Sequence, residues 1–382
     1  MAAEQVVDLL ESRKKIDEID AQIVALFKER MDVATDVAAY KRKTGKQVFD
    51  PEREDQKIMV LREMVDGEFN KISIEDLFRQ IMSISRKHQY QVLGPREKEI
   101  PFEEVDSLEI EKGMPVVCFG EPGSFTEQAM FEVFGDEISA VHKSTFREIM
   151  QEISEGRAKY GILPIENSTT GAVEGINDLL MEYDVTAVAE HFIKIEQNLL
   201  VIPGTKIDEV KTVYSHQQGI LQCEKFIRKY DFGTKTEAST SAAALKIAKE
   251  GEPSHAAIAG KRAAEVFGLE VAKEDINDEK NNFTRFIVIT NQRIYLKDAD
   301  KLSLCLELKH EVGALYNILA NFYYNGLNLT KIESRPIENR NWEYRFFIDV
   351  EGNVNSPGVE NALATLREFA SKVSVLGNVA KR

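Results

Sequence analysis

Cysteine is scarce in this chain of 382 residues: Cys118, Cys223 and Cys305 lie far apart, each among apolar neighbours. Three scattered thiols make no disulfide framework, so reduced, buried thiols in a cytoplasmic protein are expected. Long apolar runs are missing as well. Stretches such as residues 199–203 fall far below the roughly twenty residues of a membrane-spanning helix. Residues 1–15 are amphipathic, without the basic N-terminal end and unbroken apolar core of a signal peptide. Positive charge is in deficit, with 49 Lys and Arg against 64 Asp and Glu and a formal net charge of -15. Such a chain binds nucleic acid and anionic membrane poorly, and must take up anions through local basic pockets. The six histidines show no metal-ligand spacing. The turn at Gly120 does not fit GxGxxG, and no acid follows at the right distance. Neither a metal nor a dinucleotide cofactor is expected.

Proline and glycine are absent from residues 6–41, where the apolar residues follow a heptad. One seam is Val6, Arg13, Asp20, Phe27, Ala34, Lys41; the other is Leu9, Ile16, Ile23, Arg30, Val37. A helix of that length runs roughly 50 Å, more than so small a helical module covers by itself, so a dimer partner is expected. Asp50-Pro51 reads as an N-cap and first position of a second helix, whose stripe Ile58, Leu61, Val65 also carries Glu54. Ser73 with Asp76 reads as a capping box opening a third helix, striped by Phe78, Ile81, Ser85 and Gln89. Arg13, Arg30, Lys41, Glu54, Ser85 and Gln89 thus lie on faces that should be apolar. Each alone fits a residue that fixes register or a side chain reaching back to water. Together they suit a small dianion, because buried charge is costly unless paired or liganded. With no nucleophile–base pair among them, such a pocket can only position a substrate and stabilise shifting charge.

Residues 94–114, with Pro95, Pro101 and a dense acidic run, read as a solvated linker. Beyond them short apolar strands alternate with amphipathic helices. Strands are expected at 116–119, 160–165, 213–215, 256–259 and from Thr284, with helices from about Thr126, near 176–181 and through Cys223. The alternation predicts an open, mostly parallel sheet with ligands at strand ends. Ser-, Thr- and Gly-rich turns before the helices fit plain capping, or, taken together with Thr284-Arg285, an anion cleft. Further on, Leu302, Leu304, Leu306 and Leu308 alternate as in a half-buried strand. A helix from Gly313, strands at 327–332 and 344–350, a helix from Ser356-Pro357 and a short strand at 373–376 complete a βαββαβ, ferredoxin-like order. Pattern alone makes that module a dimerisation unit.

Three resemblances sharpen this reading. Residues 5–93 resemble the all-helical chorismate mutase family, on the spacing Arg13…Arg30…Lys41…Asp50-Pro51-Glu52-Arg53-Glu54…Ser85…Gln89. The resemblance implies an intertwined dimer that rearranges chorismate to prephenate without cofactor or covalent step. It casts the partner's Arg13, with Arg30 and Arg53, as holding the two carboxylates. Lys41 and Gln89 would donate to the ether oxygen, and Glu54, supported by Asp50 and Ser85, would hold the substrate hydroxyl. Residues 115–293 resemble prephenate dehydratase through Glu121-Pro122-Gly123-Ser124-Phe125, Pro164-Ile165-Glu166-Asn167-Ser168, Tyr214-Ser215-His216, Ser239-Thr240 and Asn282-Phe283-Thr284-Arg285-Phe286. That family has two α/β lobes around a cleft, similar to bacterial solute-binding proteins. Thr284 would donate to the departing hydroxyl. Asn167, Ser168, Ser215, Gln222 and Arg285 would bind substrate, and Phe286 would pack under the ring. Phe125, Gln197 and Gln217 depart from the usual tyrosine, histidine and proline.

Residues 300–378 resemble an ACT regulatory domain, with Gly313-Ala314-Leu315 and Glu333-Ser334-Arg335-Pro336 matching the two motifs of phenylalanine-sensing members. Val312 replaces the usual proline. The implied whole is a family of bifunctional chorismate mutase–prephenate dehydratases, homodimeric or homotetrameric and inhibited by L-phenylalanine. A dehydratase whose helical module (1–93) merely dimerises, or a non-enzymatic anion sensor, are the alternatives.

Overall fold

The computed structural model describes residues 8–93, 102–308, 311, 313–337, 340 and 343–382. Val6, the first eight residues of the expected linker and Val312 lie outside the described residues. Helix α1 (Leu9–Thr44) opens on Asp8, whose carboxylate accepts from Leu10 N at 2.9 Å, and ends at Gly45 in the left-handed conformation. Helix α2 (Pro51–Arg62) is capped by Asp50, which accepts from Arg53 N at 3.1 Å. Helix α3 (Glu68–Leu93) begins earlier than the expected Ser73. Gly67, at φ 82°, already turns the chain, and Ser73 sits one turn inside with its hydroxyl donating to Phe69 O. A hydroxyl that bonds back one turn competes poorly as a cap once a glycine has made the bend. Ala34, Ala38, Ile58, Leu61, Met82 and Tyr90 are buried among these helices. The first half of α1 keeps Leu9, Ile16, Ile23 and Leu26 exposed.

The next segments are β1 (Glu103–Val105), β2 (Pro115–Phe119), α4 (Phe125–Phe134), β3 (Ser139–Lys143), α5 (Phe146–Ser154), β4 (Tyr160–Asn167), β5 (Gly171–Ala172), α6 (Ile176–Glu182) and β6 (Thr186–Lys194). They continue through β7 (Asn198–Val201), β8 (Thr212–Ser215), α7 (Gln217–Leu221), α8 (Glu224–Tyr230), β9 (Gly233–Thr236), α9 (Thr240–Glu250), β10 (His255–Ala259) and α10 (Lys261–Phe267). Then come β11 (Glu270–Lys273), β12 (Phe283–Thr290), β13 (Ile294–Leu296), β14 (Lys301–Leu308), α11 (Ala314–Tyr324), β15 (Leu329–Pro336), β16 (Tyr344–Glu351), α12 (Pro357–Phe369) and β17 (Ala370–Lys381). The expected linker is structured in its second half. Strand β1 pairs with β13, and Phe102 and Met114 enter the core.

Among the described residues the larger sheets are a ten-stranded one, β15-β16-β14-β17-β6-β12-β4-β2-β3 with β5 on β4, and a five-stranded one, β11-β7-β10-β8-β9. The expectation of mostly parallel strands fails here. Strand β12 runs antiparallel to both neighbours, β4 and β6, and β7 antiparallel to β10 and β11. Parallel pairing is the product of helical crossovers within one sheet. Here the chain passes from one sheet to the other at 195–197 and returns at 274–282, so β7 and β12 enter without such a crossover.

The last strand is longer than expected, twelve residues, and joins β6 in parallel register, Gly377 opposite Ala187. A Cβ on Gly377 would fall on the carbonyl oxygen of Ala187, so the backbones meet only because it is glycine. This junction buries both faces of β14's second half, and Cys305 joins Phe347, Leu376 and Val379 in a core shared with Ile287 and Leu163. Burial pushes all three thiols up to about 12, leaving them unreactive. The chain divides into two compact units: α1–α3 with α11 and α12, and all the strands with α4–α10. The segment expected as one C-terminal module is thus divided, its helices in the first unit and its strands in the second.

The two lobes of the second unit meet where α4 faces α10. A Cβ on Gly260 would come within 2.9 Å of the Phe125 ring, and one on Gly123 within 2.8 Å of Ala263 Cα. Beside them the Glu127 carboxylate accepts from Gly123 N (2.8 Å), Arg262 Nε (2.7 Å) and His142 (3.1 Å). Burial opposes its charge, but these donors outweigh it and hold the carboxyl down at about 2, against 4.5 for the free group. The folded state therefore binds fewer protons than the unfolded one between these values. The stability Glu127 contributes is complete above pH 4.5 and disappears as pH falls toward 2, on the order of 3 kcal/mol. Urea midpoints measured from pH 6 to pH 3 are expected to fall for the wild type and to flatten in Glu127→Gln. Parallel slopes would mean that other carboxylates carry the acid sensitivity.

Candidate active sites

Of the residues expected at the helical site, Arg30 and Lys41 lie on α1, Glu54 on α2, and Ser85 and Gln89 on α3. Arg30 Nη1 donates to Ser85 Oγ and, at 3.5 Å, lies near Ile81 O. Lys41 Nζ donates to Val48 O at 2.6 Å. Glu54 is ion-paired to Arg86, a residue the sequence reading passed over, whose guanidinium also lies 4.9 Å over the Phe49 ring. The missed signal was a second row beside Ile81, Ser85 and Gln89: Met82, Arg86 and Tyr90 repeat at four-residue spacing and are buried. Burial lowers the Arg30 pKa and Glu54 opposes that, yet a guanidinium stays charged at any working pH. Arg30, Glu54, Ser85 and Arg86 thus form one polar cluster among the described residues. Gln89 is buried, and its Oε1 has no hydrogen-bond partner among the described residues. Asp50 is occupied as a helix cap, and Arg53 and Arg13 are exposed. Arg13 is 17 residues from Arg30 on one straight helix, about 25 Å, so it cannot reach the pocket of its own chain.

In the second unit, Thr284, Asn167 and Ser168 are brought together by the β4–β12 pairing, Thr284 opposite Asn167. The Asn167 amide is oriented by its Oδ1, which accepts from Thr169 N (3.0 Å) and Thr170 N (3.1 Å), so its Nδ2 must face β12. That Nδ2 donates toward Asn282 Oδ1 (2.7 Å), Thr284 Oγ1 (3.0 Å) and Phe283 O (3.1 Å). Thr284 thus accepts from the protein, and among the described residues no acceptor takes its own proton. Ser168 Oγ ties the turn to Asn281 O and Phe283 N.

Asn282, part of the sequence motif but given no role there, connects this cluster to the lobe crossing, since its carbonyl accepts from Ile195 N at 2.8 Å. At that crossing Asn277 clamps Gln197 N (2.6 Å) and Ile195 O (3.1 Å), and Gln197 Nε2 donates to Gln222 Oε1 at 3.3 Å. Gln197 therefore holds Gln222, one of the expected binding residues. Ser215 is also placed here but is fully buried, with its proton committed to Ile258 O at 2.7 Å. His216 caps α7 through Nδ1.

Two expected contacts are redirected by the period-two alternation of β12. Phe286 follows Thr284 onto one face but is 1 % exposed, sealed in the core with Val116, Cys118 and Tyr160, beneath the site and not in it. Arg285 lies on the opposite face with Ile287, where Nη2 donates to Asp349 Oδ2 at 2.8 Å. The spacing of adjacent motif residues pointed to a pair; strand geometry separates it.

Of the expected effector residues, Gly313 is the left-handed N-cap of α11 (φ 80°), followed by Ala314 and the exposed Leu315. Glu333, Ser334, Arg335 and Pro336 lie on β15, at the sheet's edge. Glu333 accepts from Arg335 Nε (2.7 Å) and lies 3.3 Å from Asn177 Nδ2.

The family described as "Prephenate dehydratase" matches residues 116–294, and "Chorismate mutase type II" matches residues 12–90. The bifunctional chorismate mutase/prephenate dehydratase of Aquifex aeolicus is 35% identical over 379 residues, 98% of each chain. A prephenate dehydratase from Arthrobacter aurescens, solved in complex with L-Phe, superposes with a TM-score of 0.65 at 28% identity, over 70% of this chain and 90% of that one. A structure described as a quorum-quenching acylase gives 0.66 at 28% identity, over 70% of this chain and 98% of that one. The near-complete match to the Aquifex protein in domain content and length settles the relationship: the chain belongs to the bifunctional chorismate mutase/prephenate dehydratase family.

Proposed function

We propose a division of labour in which the two sites act in turn on one carbon skeleton. The chain is a bifunctional enzyme of phenylalanine biosynthesis, with chorismate mutase and prephenate dehydratase activities. In the helical pocket, chorismate breaks its ether C–O bond and forms a C–C bond to give prephenate. Arg30 and Arg53, with the partner's Arg13, hold the carboxylates. Lys41 and Gln89 place donors at the ether oxygen as it gains charge, and Arg86 keeps Glu54 ionised to accept from the substrate hydroxyl. The reach of Arg13 and the exposed apolar row of α1 support a dimer that shares its sites.

At the second site, prephenate loses its ring carboxylate as carbon dioxide. The electron pair of that bond completes the aromatic ring, and hydroxide leaves, to be protonated to water, giving phenylpyruvate. The observation that carries this reading is the hydroxyl of Thr284. It accepts from Asn167 and keeps its own proton for the leaving oxygen. An ordinary threonine is a weak general acid, so it acts as a fixed hydrogen-bond donor within a bonded network. Ser168, Gln222 and the crossing residues would line the cleft. We read the βαββαβ segment 300–378 as an ACT domain that binds L-phenylalanine through Gly313–Leu315 and Glu333–Pro336 and slows the dehydratase.

Purified enzyme given chorismate, with prephenate and phenylpyruvate followed separately with and without phenylalanine, tests all of this. Phenylpyruvate that forms, and forms more slowly with phenylalanine, supports the whole reading. Prephenate that accumulates without phenylpyruvate overturns the dehydratase assignment, and makes Phe125 and Gln197 the first residues to examine. Indifference to phenylalanine overturns the regulatory one.

A further inference from the structure

Arg285 follows Thr284 in the chain, yet everything it touches lies on the far side of the sheet from Asn167. Its Nη2 donates to Asp349 Oδ2 at 2.8 Å, its Nε is 3.5 Å from Glu190 Oε2, and its Nη1 is 3.8 Å from Glu166. Asp349 accepts from Ser303 at 2.7 Å through its other oxygen, and Glu190 is paired with Lys301. The side chains of Arg285, Glu190 and Asp349 are 11%, 5% and 8% exposed. This is a buried ionic network spanning β12, β6, β14 and β16. It therefore joins the strand of Thr284 to the strands around the Glu333–Pro336 motif. Asp349 lies opposite both Ser303 and Lys331, and Lys331 Nζ is 3.4 Å from Glu333.

Two features make the network more than a rivet. Arg285 Nε and Glu190 Oε2 are both buried and make no hydrogen bond among the described residues, although they stand 3.5 Å apart. A shift of about 0.7 Å would close that bond, because a charge-assisted N–H···O contact settles near 2.8 Å. Arg285, Asp349 and Lys331 also line a cavity of about 20 Å³ with Asn177, which meets Glu333, and this leaves room for so small a movement. Burial makes each partner expensive to leave alone, so the guanidinium moves with its carboxylates and does not separate from them.

We propose that Arg285 is a positioning residue and not a substrate ligand: it takes its place from Asp349 and Glu190, and through β12 sets where the Thr284 hydroxyl stands. Effector occupancy at β15 reaches the dehydratase site by this route. The inference rests on the regulatory reading above, and its mechanism is a choice between the open and the closed Arg285–Glu190 contact.

The test uses the full-length enzyme and two substitutions, Asp349→Asn and Arg285→Lys. For each, phenylalanine binding is measured by equilibrium dialysis, and dehydratase kcat and KM for prephenate are measured with and without saturating phenylalanine. Mutase turnover and thermal melting report on the fold. In Asp349→Asn, phenylalanine is expected to bind within about threefold of the wild-type affinity, while its effect on prephenate turnover shrinks about three- to thirtyfold. In Arg285→Lys, kcat is expected to fall while KM stays within about threefold, because Thr284 is misplaced and no substrate contact is lost. A rise of tenfold or more in KM with intact phenylalanine inhibition would make Arg285 a substrate ligand and overturn the proposal. Unchanged inhibition in Asp349→Asn does the same. A wild-type enzyme that neither binds nor responds to phenylalanine overturns the regulatory reading, and this inference with it.

Discussion

Lys41→Ala is expected to lower chorismate mutase turnover about 10²- to 10³-fold, while dehydratase turnover of added prephenate stays within about twofold. The loss reflects the nature of the reaction. With no nucleophile or base in the pocket, the acceleration comes from holding one conformer and from donors aimed where charge develops. On the reading proposed above, Lys41 supplies the ammonium for that task. Its Nζ reaches Val48 O at 2.6 Å, which fixes the end of a flexible side chain near the start of α2. Arg30 is the other α1 cation expected at the site, but its Nη1 is engaged with Ser85 and with Ile81 O. Removing Lys41 gives up its hydrogen bond to Val48 O and a favourable interaction with the end of α1, together about 1–2 kcal/mol, too little to unfold the unit. Steady-state rates on each substrate, with a thermal melt beside them, separate the outcomes. Near-wild-type mutase turnover would remove Lys41 from the site. Equal loss of both activities would mean a folding defect instead.

Much of this organisation was legible because periodicity reports directly on burial. Glu54 and Ser85 interrupt apolar stripes, and the structure joins both to Arg30, Ser85 by a hydrogen bond and Glu54 by its charge. The N-cap at Asp50 was legible for the same local reason, as aspartate before proline leaves few alternatives. What failed depended on contacts distant in sequence. The start of α3 was misplaced because Ser73 and Asp76 imitate a capping box, while the bend is made earlier by Gly67. Arg86 lies on the helix row beside Ile81, Ser85 and Gln89, so the stripe that carries those residues does not include it. The antiparallel setting of β12 could not be read from its apolar run, since a strand entering from another sheet looks like one built by a helical crossover. The β17–β6 junction depends on the missing side chain of Gly377, which shows in sequence only as an ordinary glycine. The family resemblance makes Arg285 a substrate ligand; alternation along β12 turns its contacts to the face opposite Thr284, toward Asp349.

Thr284→Val should lower dehydratase kcat about 10²-fold or more, leave KM for prephenate nearly unchanged and spare the mutase. Valine keeps the shape of threonine and removes only the hydroxyl. The Asn167 amide has two protons and, once Oγ1 is gone, still has Asn282 Oδ1 at 2.7 Å and Phe283 O at 3.1 Å to receive them. No buried donor is orphaned, so the stability cost is about 1 kcal/mol or less. The chemical cost is larger, because no acceptor among the described residues takes the Thr284 proton, which leaves it for the departing oxygen. That oxygen gains charge only as the C–O bond breaks, so the lost interaction belongs to the transition state and falls on kcat. Thr284→Ser restores the donor but loses the branched carbon that fixes its rotamer, and should recover an intermediate rate. The two variants together separate the donor from the packing. If valine and serine are equally slow, rotamer placement is what matters; if valine turns over like the wild type, the proton comes from elsewhere and the hydroxyl of Thr284 is only part of the turn.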